Sequence, residues 1–164
     1  MIKPASLSLL KQELASRPPK EVLEICLKLA KYKKDNKELL SYLLFDADND
    51  AEFLKSVKAE IELQFTEINT SQLYFARKSI RKILRTTNKY IRYAGKKHIE
   101  AELLIHFCAN LKNSGIAFQS VTSLSNLYTN QLHKIRKAIS LLHEDLQFDY
   151  NLEIEKLTDS RNKK

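Results

Sequence analysis

Residues 73–95, LYFARKSIRKILRTTNKYIRYAG, show the clearest structural pattern in this chain. At 100° per residue, eight apolar side chains fall within an arc of about 120° and the cations within an adjoining arc of about 140°. The eight are Leu73, Ala76, Ile80, Ile83, Leu84, Tyr90, Ile91 and Ala94. Gly95 follows directly and is suited to end a helix in the left-handed conformation. The stretch therefore predicts a long amphipathic helix of about 71–94 that packs along one side and is positively charged beside it.

The rest of the chain also favours helix, because it has only 2 glycines and 3 prolines in 164 residues. Hairpins and strand bends usually need Gly, Pro or Asn-Gly and Asp-Gly pairs. We therefore predict one all-α domain, residues 1–164, built as an irregular bundle or a short array of helical hairpins with six to eight helices. The other helices are expected at about 5–16, 19–33, 38–45, 50–68, 97–113, 121–146 and 151–157, with a frayed tail at 158–164.

Charge is unevenly distributed along the chain. The formal net charge is +8, but residues 70–143 alone hold 13 Lys/Arg against two glutamates, whereas 1–69 and 144–164 are slightly acidic. Like charges on one folded surface repel, so such a segment usually faces acidic groups, an anionic partner or counterions.

Most of this charge lies in a basic ridge along and just beyond the long helix. Its Arg side chains carry a planar fork suited to phosphate or carboxylate, and Tyr74 and Tyr93 lie at or beside the cations. The expected partner is an acidic protein surface or nucleic acid. The basic ridge is Arg77, Lys78, Arg81, Lys82, Arg85, Lys89, Arg92, Lys96 and Lys97.

The ridge is also compatible with three structural roles that need no partner. In the first role the ridge is a solvated helix face. In the second it pairs with the acids of the preceding helix, and in the third it pairs with the acidic C-terminal segment. Those acids are Glu60, Glu62 and Glu67, and Glu144, Asp145, Asp149, Glu153 and Glu155. A second basic cluster, Lys134, Arg136 and Lys137, matters only if folding places it beside the ridge.

His98, Glu102 and His106, with Asn110 one turn later, form a polar stripe at four-residue spacing. Two imidazoles and a carboxylate suit zinc or iron, but one helix spreads them about 6 Å apart per step. A half-exposed polar stripe without metal is the prediction. Asp46, Asp48 and Asp50 resemble the start of a calcium loop but lack its glycine and final glutamate, so they are interpreted as helix-end capping, with Asn49 as the N-cap.

No nucleophile motif or glycine-rich phosphate loop is present, so no catalytic residue and no cofactor are predicted. Cys26 and Cys108 are expected to be buried free thiols, which together with the lack of a long apolar run predicts a cytoplasmic protein without a membrane span. The hypothesis is a non-catalytic binding or scaffold module that contacts an acidic protein. The alternatives are a nucleic-acid-binding protein and a metal-dependent helical enzyme.

Overall fold

The computed structural model describes residues 3–158, which form eight α-helices and no strand within that range. The all-α prediction is therefore confirmed. Thr158, the first residue of the predicted tail, is the last residue of α8, and the other tail positions lie outside the described range. The helices are α1 Leu7–Ser16, α2 Pro19–Tyr32, α3 Lys34–Ser41, α4 Asp50–Thr66, α5 Leu73–Ala94, α6 Lys97–Asn113, α7 Thr122–Ile139 and α8 Glu144–Thr158.

The chain divides into two compact units, Met1–Phe45 and Asp46–Lys164. The expectation of one domain stays a prediction. In the first unit α2 packs on α3, and Asn36 Nδ2 donates a hydrogen bond to the Leu29 carbonyl at 2.9 Å. Every residue of α1 is exposed.

The second unit is built around α6, which packs against α4, α5, α7 and α8. Buried residues lie on most of its circumference, and the polar stripe on the remaining side is half-exposed. Phe107 is fully buried, and its ring lies 5.5 Å from that of Phe65 on α4. The buried residues of α6 are Ile99, Ala101, Leu103, Leu104, Ile105, Phe107, Cys108 and Leu111.

Local capping explains several helix boundaries. Asn49 Oδ1 accepts a hydrogen bond from the Glu52 amide at 3.1 Å and begins α4, as predicted. Gly95 ends α5 at φ +64°, where a side chain would be strained, and its N–H donates to the Ile91 carbonyl at 2.9 Å. The turn before α5 reverses the chain, so Phe53 near the start of α4 packs edge-on against Tyr90 near the end of α5.

The predicted helix at 121–146 is wrong, because it is divided into α7 and α8. The α-helix ends at Ile139, and a turn precedes Glu144. Ser140 lies in that turn, where its hydroxyl donates to the Lys137 carbonyl at 2.9 Å and satisfies one end-of-helix acceptor. The apolar period is continuous across the break, so it gave no sign of the turn. Likewise, the helix predicted near 38–45 begins earlier, at Lys34, and ends as a π-helical turn at Tyr42–Asp46.

The two cysteines differ in burial. Cys108 is inaccessible, as predicted, and burial raises the pKa of its thiol to about 12. Cys26 is only half-buried, which corrects the expectation of a second buried thiol. None of the helices within residues 3–158 combines the length and hydropathy that crossing a bilayer requires.

Candidate anion-binding surface

The basic ridge is mostly exposed to solvent. Six of its members are exposed, and the other three, Arg77, Lys89 and Lys96, are half-buried. The separate apolar side of α5 accounts for this, because Ala76, Ile80 and Ile83 are buried against the second unit's core and turn the cationic side outward. The exposed members are Lys78, Arg81, Lys82, Arg85, Arg92 and Lys97.

Among residues 3–158, ion pairs neutralise the C-terminal end of the ridge. Lys96 Nζ lies 2.6 Å from Asp50 Oδ1, and Lys97 Nζ lies 2.6 Å from Glu100 Oε2. Lys89 Nζ lies 5.1 Å from the centre of the Tyr90 ring, a cation–π distance. The remaining six make no ion pair with any other residue from 3 to 158. They are Arg77, Lys78, Arg81, Lys82, Arg85 and Arg92.

Three of the acidic residues that could have neutralised the ridge contact other residues instead. Glu60 accepts a hydrogen bond from the Tyr90 hydroxyl at 2.8 Å, and Glu62 lies 3.1 Å from His106. On α8, Asp145 lies 3.3 Å from His143 at the helix start. Within the described part of the chain, internal pairing therefore does not account for the six ridge cations without ion pairs.

Folding places one member of the second basic cluster beside the ridge. Lys134 of α7 lines an open groove of about 510 Å³ together with three ridge arginines. Leu84 and Ile91 contribute apolar side chains, and the single carboxylate is Glu100, which Lys97 already neutralises. Arg136 and Lys137 are exposed but do not line the groove. The full lining is Arg81, Leu84, Arg85, Asn88, Ile91, Arg92, Glu100 and Lys134.

The groove joins residues that are far apart in the sequence. The sequence does not predict three features of this groove, which are Asn88, Glu100 and the approach of Lys134 to Arg85. No local signal identifies them, because α6 has to lie between α5 and α7 before the three helices share a groove. The sequence predicts only that the second cluster would contribute to the binding surface if it came to lie near the ridge.

The polar stripe of α6 is half-buried and links α6 to its neighbours. His98 Nε2 lies 3.0 Å from Asp50 Oδ2 at the start of α4. Glu102 accepts hydrogen bonds from Lys58 Nζ at 2.6 Å and from the Tyr150 hydroxyl at 2.9 Å. The stripe therefore holds α4 and α8 against α6, and Asp50 does more than cap a helix.

A second groove, of about 540 Å³, lies over this stripe, lined by Lys58, Glu62, Glu102 and His106 among others. His106 Nε2 is 3.1 Å from Glu62 Oε1, but the direction is not that of a hydrogen bond. Burial lowers the pKa of His106, against the opposing attraction of the Glu62 carboxylate. Burial and the Glu102 carboxylate raise the pKa of Tyr150 above its usual range. This favours a neutral imidazole and a neutral phenol.

The stripe members have different partners, and this geometry does not favour a metal centre. Within residues 3–158, no three His, Cys, Asp or Glu side chains converge in a way that would hold an ion.

No protein-family model matches this chain, and comparison with curated proteins and with solved structures found no match.

Proposed function

We propose that this protein is a non-catalytic binding module that holds a polyanionic partner along its basic ridge. One observation carries the proposal: six ridge cations lack ion pairs with the described residues, and Lys134 approaches three of them across a groove. Bringing this many like charges together raises the free energy of the folded chain, and an anion relieves the repulsion. Four of the six are arginines, which bind oxyanions in bidentate fashion.

Two classes of partner fall within this proposal. An acidic protein surface would present carboxylates to the arginine forks. Nucleic acid is the second candidate, and Tyr74 favours it, because this exposed ring lies on α5 one turn before Lys78. We also propose a cytoplasmic location, since Cys26 and Cys108 are both free thiols, as a reducing compartment would keep them.

Heparin affinity chromatography tests the proposal, because heparin is a generic polyanion. The wild-type protein should be retained at low salt and elute as salt rises from about 50 to 200 mM. The double variant Arg81→Glu, Arg85→Glu should lose retention, since both side chains are exposed and both line the groove.

The matched control is Lys28→Glu, Lys31→Glu on α2, which changes the net charge by the same amount at exposed positions outside the ridge. It should elute close to the wild type. Equal losses in the two variants would show that retention follows total charge alone. Absence of wild-type retention at low salt would remove the proposal, and circular dichroism confirms that each variant remains helical.

A further inference from the structure

We infer that the polyanion is a single-stranded nucleic acid, bound with phosphates along the basic ridge and an unpaired base stacked on Tyr74. This rests on the proposed function and names its partner. The observations that carry it are a linear row of side chains on α5, the lack of exposed large apolar side chains along its cationic part, and the exposed ring of Tyr74 at its end.

The row follows from helix geometry. At 100° per residue, five side chains of α5 project within an arc of about 60°, and they extend over about 27 Å of helix axis. Four of them are exposed cations and the first is an aromatic ring. In chain order they are Tyr74, Lys78, Arg81, Arg85 and Arg92. A straight row of separated charges matches a chain of phosphates, which carries one charge per nucleotide.

The apolar content of this surface argues against an acidic protein as the partner. Stable protein interfaces have a desolvated centre with aromatic or aliphatic anchors, surrounded by a polar rim. On α5 the exposed large apolar side chains are Leu73, Tyr74 and Phe75, all in the first turn, and none of the described residues after them on this helix belongs to that class. The cationic part of the row therefore has the polar composition of an interface rim, and it lacks the apolar centre of a stable protein interface.

Tyr74 provides a contact that a duplex would not use. Its side chain is 64% exposed, and Phe75 lies edge-on to it with 5.5 Å between ring centres, which supports one side of the ring. A flat, exposed ring beside cations stacks on a base of any identity, provided that the base is unpaired. Because paired bases stack within their own duplex, the ring favours a single strand.

The groove adds phosphate contacts from a second helix. Arg81, Arg85 and Arg92 border it from α5, while Lys134 approaches from α7. With Lys78 and Lys82 on the exposed ridge, a strand can reach six cations. For a single strand this predicts a slope of about −4 in log affinity against log salt, or about a 300-fold loss between 50 and 200 mM.

Fluorescence anisotropy with oligonucleotides of about 12 units, within the usual range of single-strand sites, tests this inference. The ligands are oligo-deoxythymidine, oligouridine, an abasic strand of the same length, the corresponding duplex and poly-glutamate. The expected order is both base-bearing single strands first, then the abasic strand and the duplex, with poly-glutamate weakest. The two base-bearing strands distinguish DNA from RNA as the source of the phosphate chain.

Tyr74→Ala should weaken binding of the base-bearing strands by about 5- to 150-fold, the range of one stacked base, and leave the abasic strand unchanged. Tyr32→Ala, at another exposed tyrosine on α2, is the matched control and should bind like the wild type. The inference is overturned if the duplex or poly-glutamate binds as tightly as the base-bearing single strands, or if Tyr74→Ala does not change their affinity. Either result leaves the polyanion proposal in place. If no ligand binds at 50 mM salt and heparin is not retained, both fail.

Discussion

Replacing Glu102 with Ala should destabilise the unit Asp46–Lys164 by about 2–3 kcal/mol. The carboxylate of Glu102 accepts from Lys58 on α4 with one oxygen and from Tyr150 on α8 with the other. The substitution removes both acceptors, so the central helix loses polar links to two neighbours and two donors lose their partner.

The magnitude follows from burial and charge. A hydrogen bond involving a charged group contributes about 1.5–3 kcal/mol and a neutral one about 0.5–1.5 kcal/mol. The side chains of Lys58 and Glu102 are 32% and 25% exposed, so water screens their attraction and the lower end applies. Tyr150 contributes about 1 kcal/mol through its hydroxyl.

Urea denaturation followed by circular dichroism measures this loss. With a slope of about 1–3 kcal/mol per molar urea, the midpoint should fall by roughly 0.7–3 M. Tyr150→Phe alone should cost about 1 kcal/mol. In the double variant Glu102→Ala, Tyr150→Phe, the two losses of unfolding free energy should not add, because both substitutions remove the same hydrogen bond.

Glu52→Gln is the control, since Glu52 pairs with Lys55 at 3.7 Å with both side chains mostly exposed. It should change the free energy of unfolding by less than about 0.5 kcal/mol, as expected of an exposed i,i+3 pair. A loss from Glu102→Ala no larger than that of this control would refute the stabilising role of Glu102. Full addition of the losses from Glu102→Ala and Tyr150→Phe would refute the shared hydrogen bond.

Two further predictions concern pH and thiol reactivity. A hydrogen bond from Lys96 holds the pKa of Asp50 below its usual 3.8, so its stabilising contribution is complete above that pH and is lost as pH falls through the folded-state pKa. Asp50→Asn should therefore flatten the acid decline of the urea midpoint below about pH 4, and an unchanged decline would contradict this. Burial raises the pKa of Cys108 to about 12, so a disulfide reagent should modify half-buried Cys26 in the native protein and Cys108 only after unfolding. Rapid reaction of both thiols in the native wild-type protein, or of any thiol in native Cys26→Ser, would contradict the protection of Cys108 by burial.

Helix positions could be predicted from the sequence wherever a local signal marks them. Pro19 opens α2, Asn49 caps α4 and Gly95 ends α5, each through backbone chemistry that depends on only a few neighbouring residues. The end of α7 at Ile139 was missed because no glycine or proline marks it. Its turn is satisfied by a serine, a residue equally compatible with a helix end and with a solvent-facing helical position.

The sequence alone determined the all-α class and the cationic side of α5, because both depend on residue spacing around a single helix. Apart from the local pair of Lys97 with Glu100, which charges are neutralised was decided by tertiary structure. Asp50, far from Lys96 in the chain, pairs with it because α4 packs beside the α5–α6 turn, whereas Arg81 and Arg85 form no ion pair with any described residue. The groove with Lys134 likewise exists only because α6 is buried between α5 and α7. Periodicity fixes the side of a helix on which a residue lies, but contact between helices depends on how they pack.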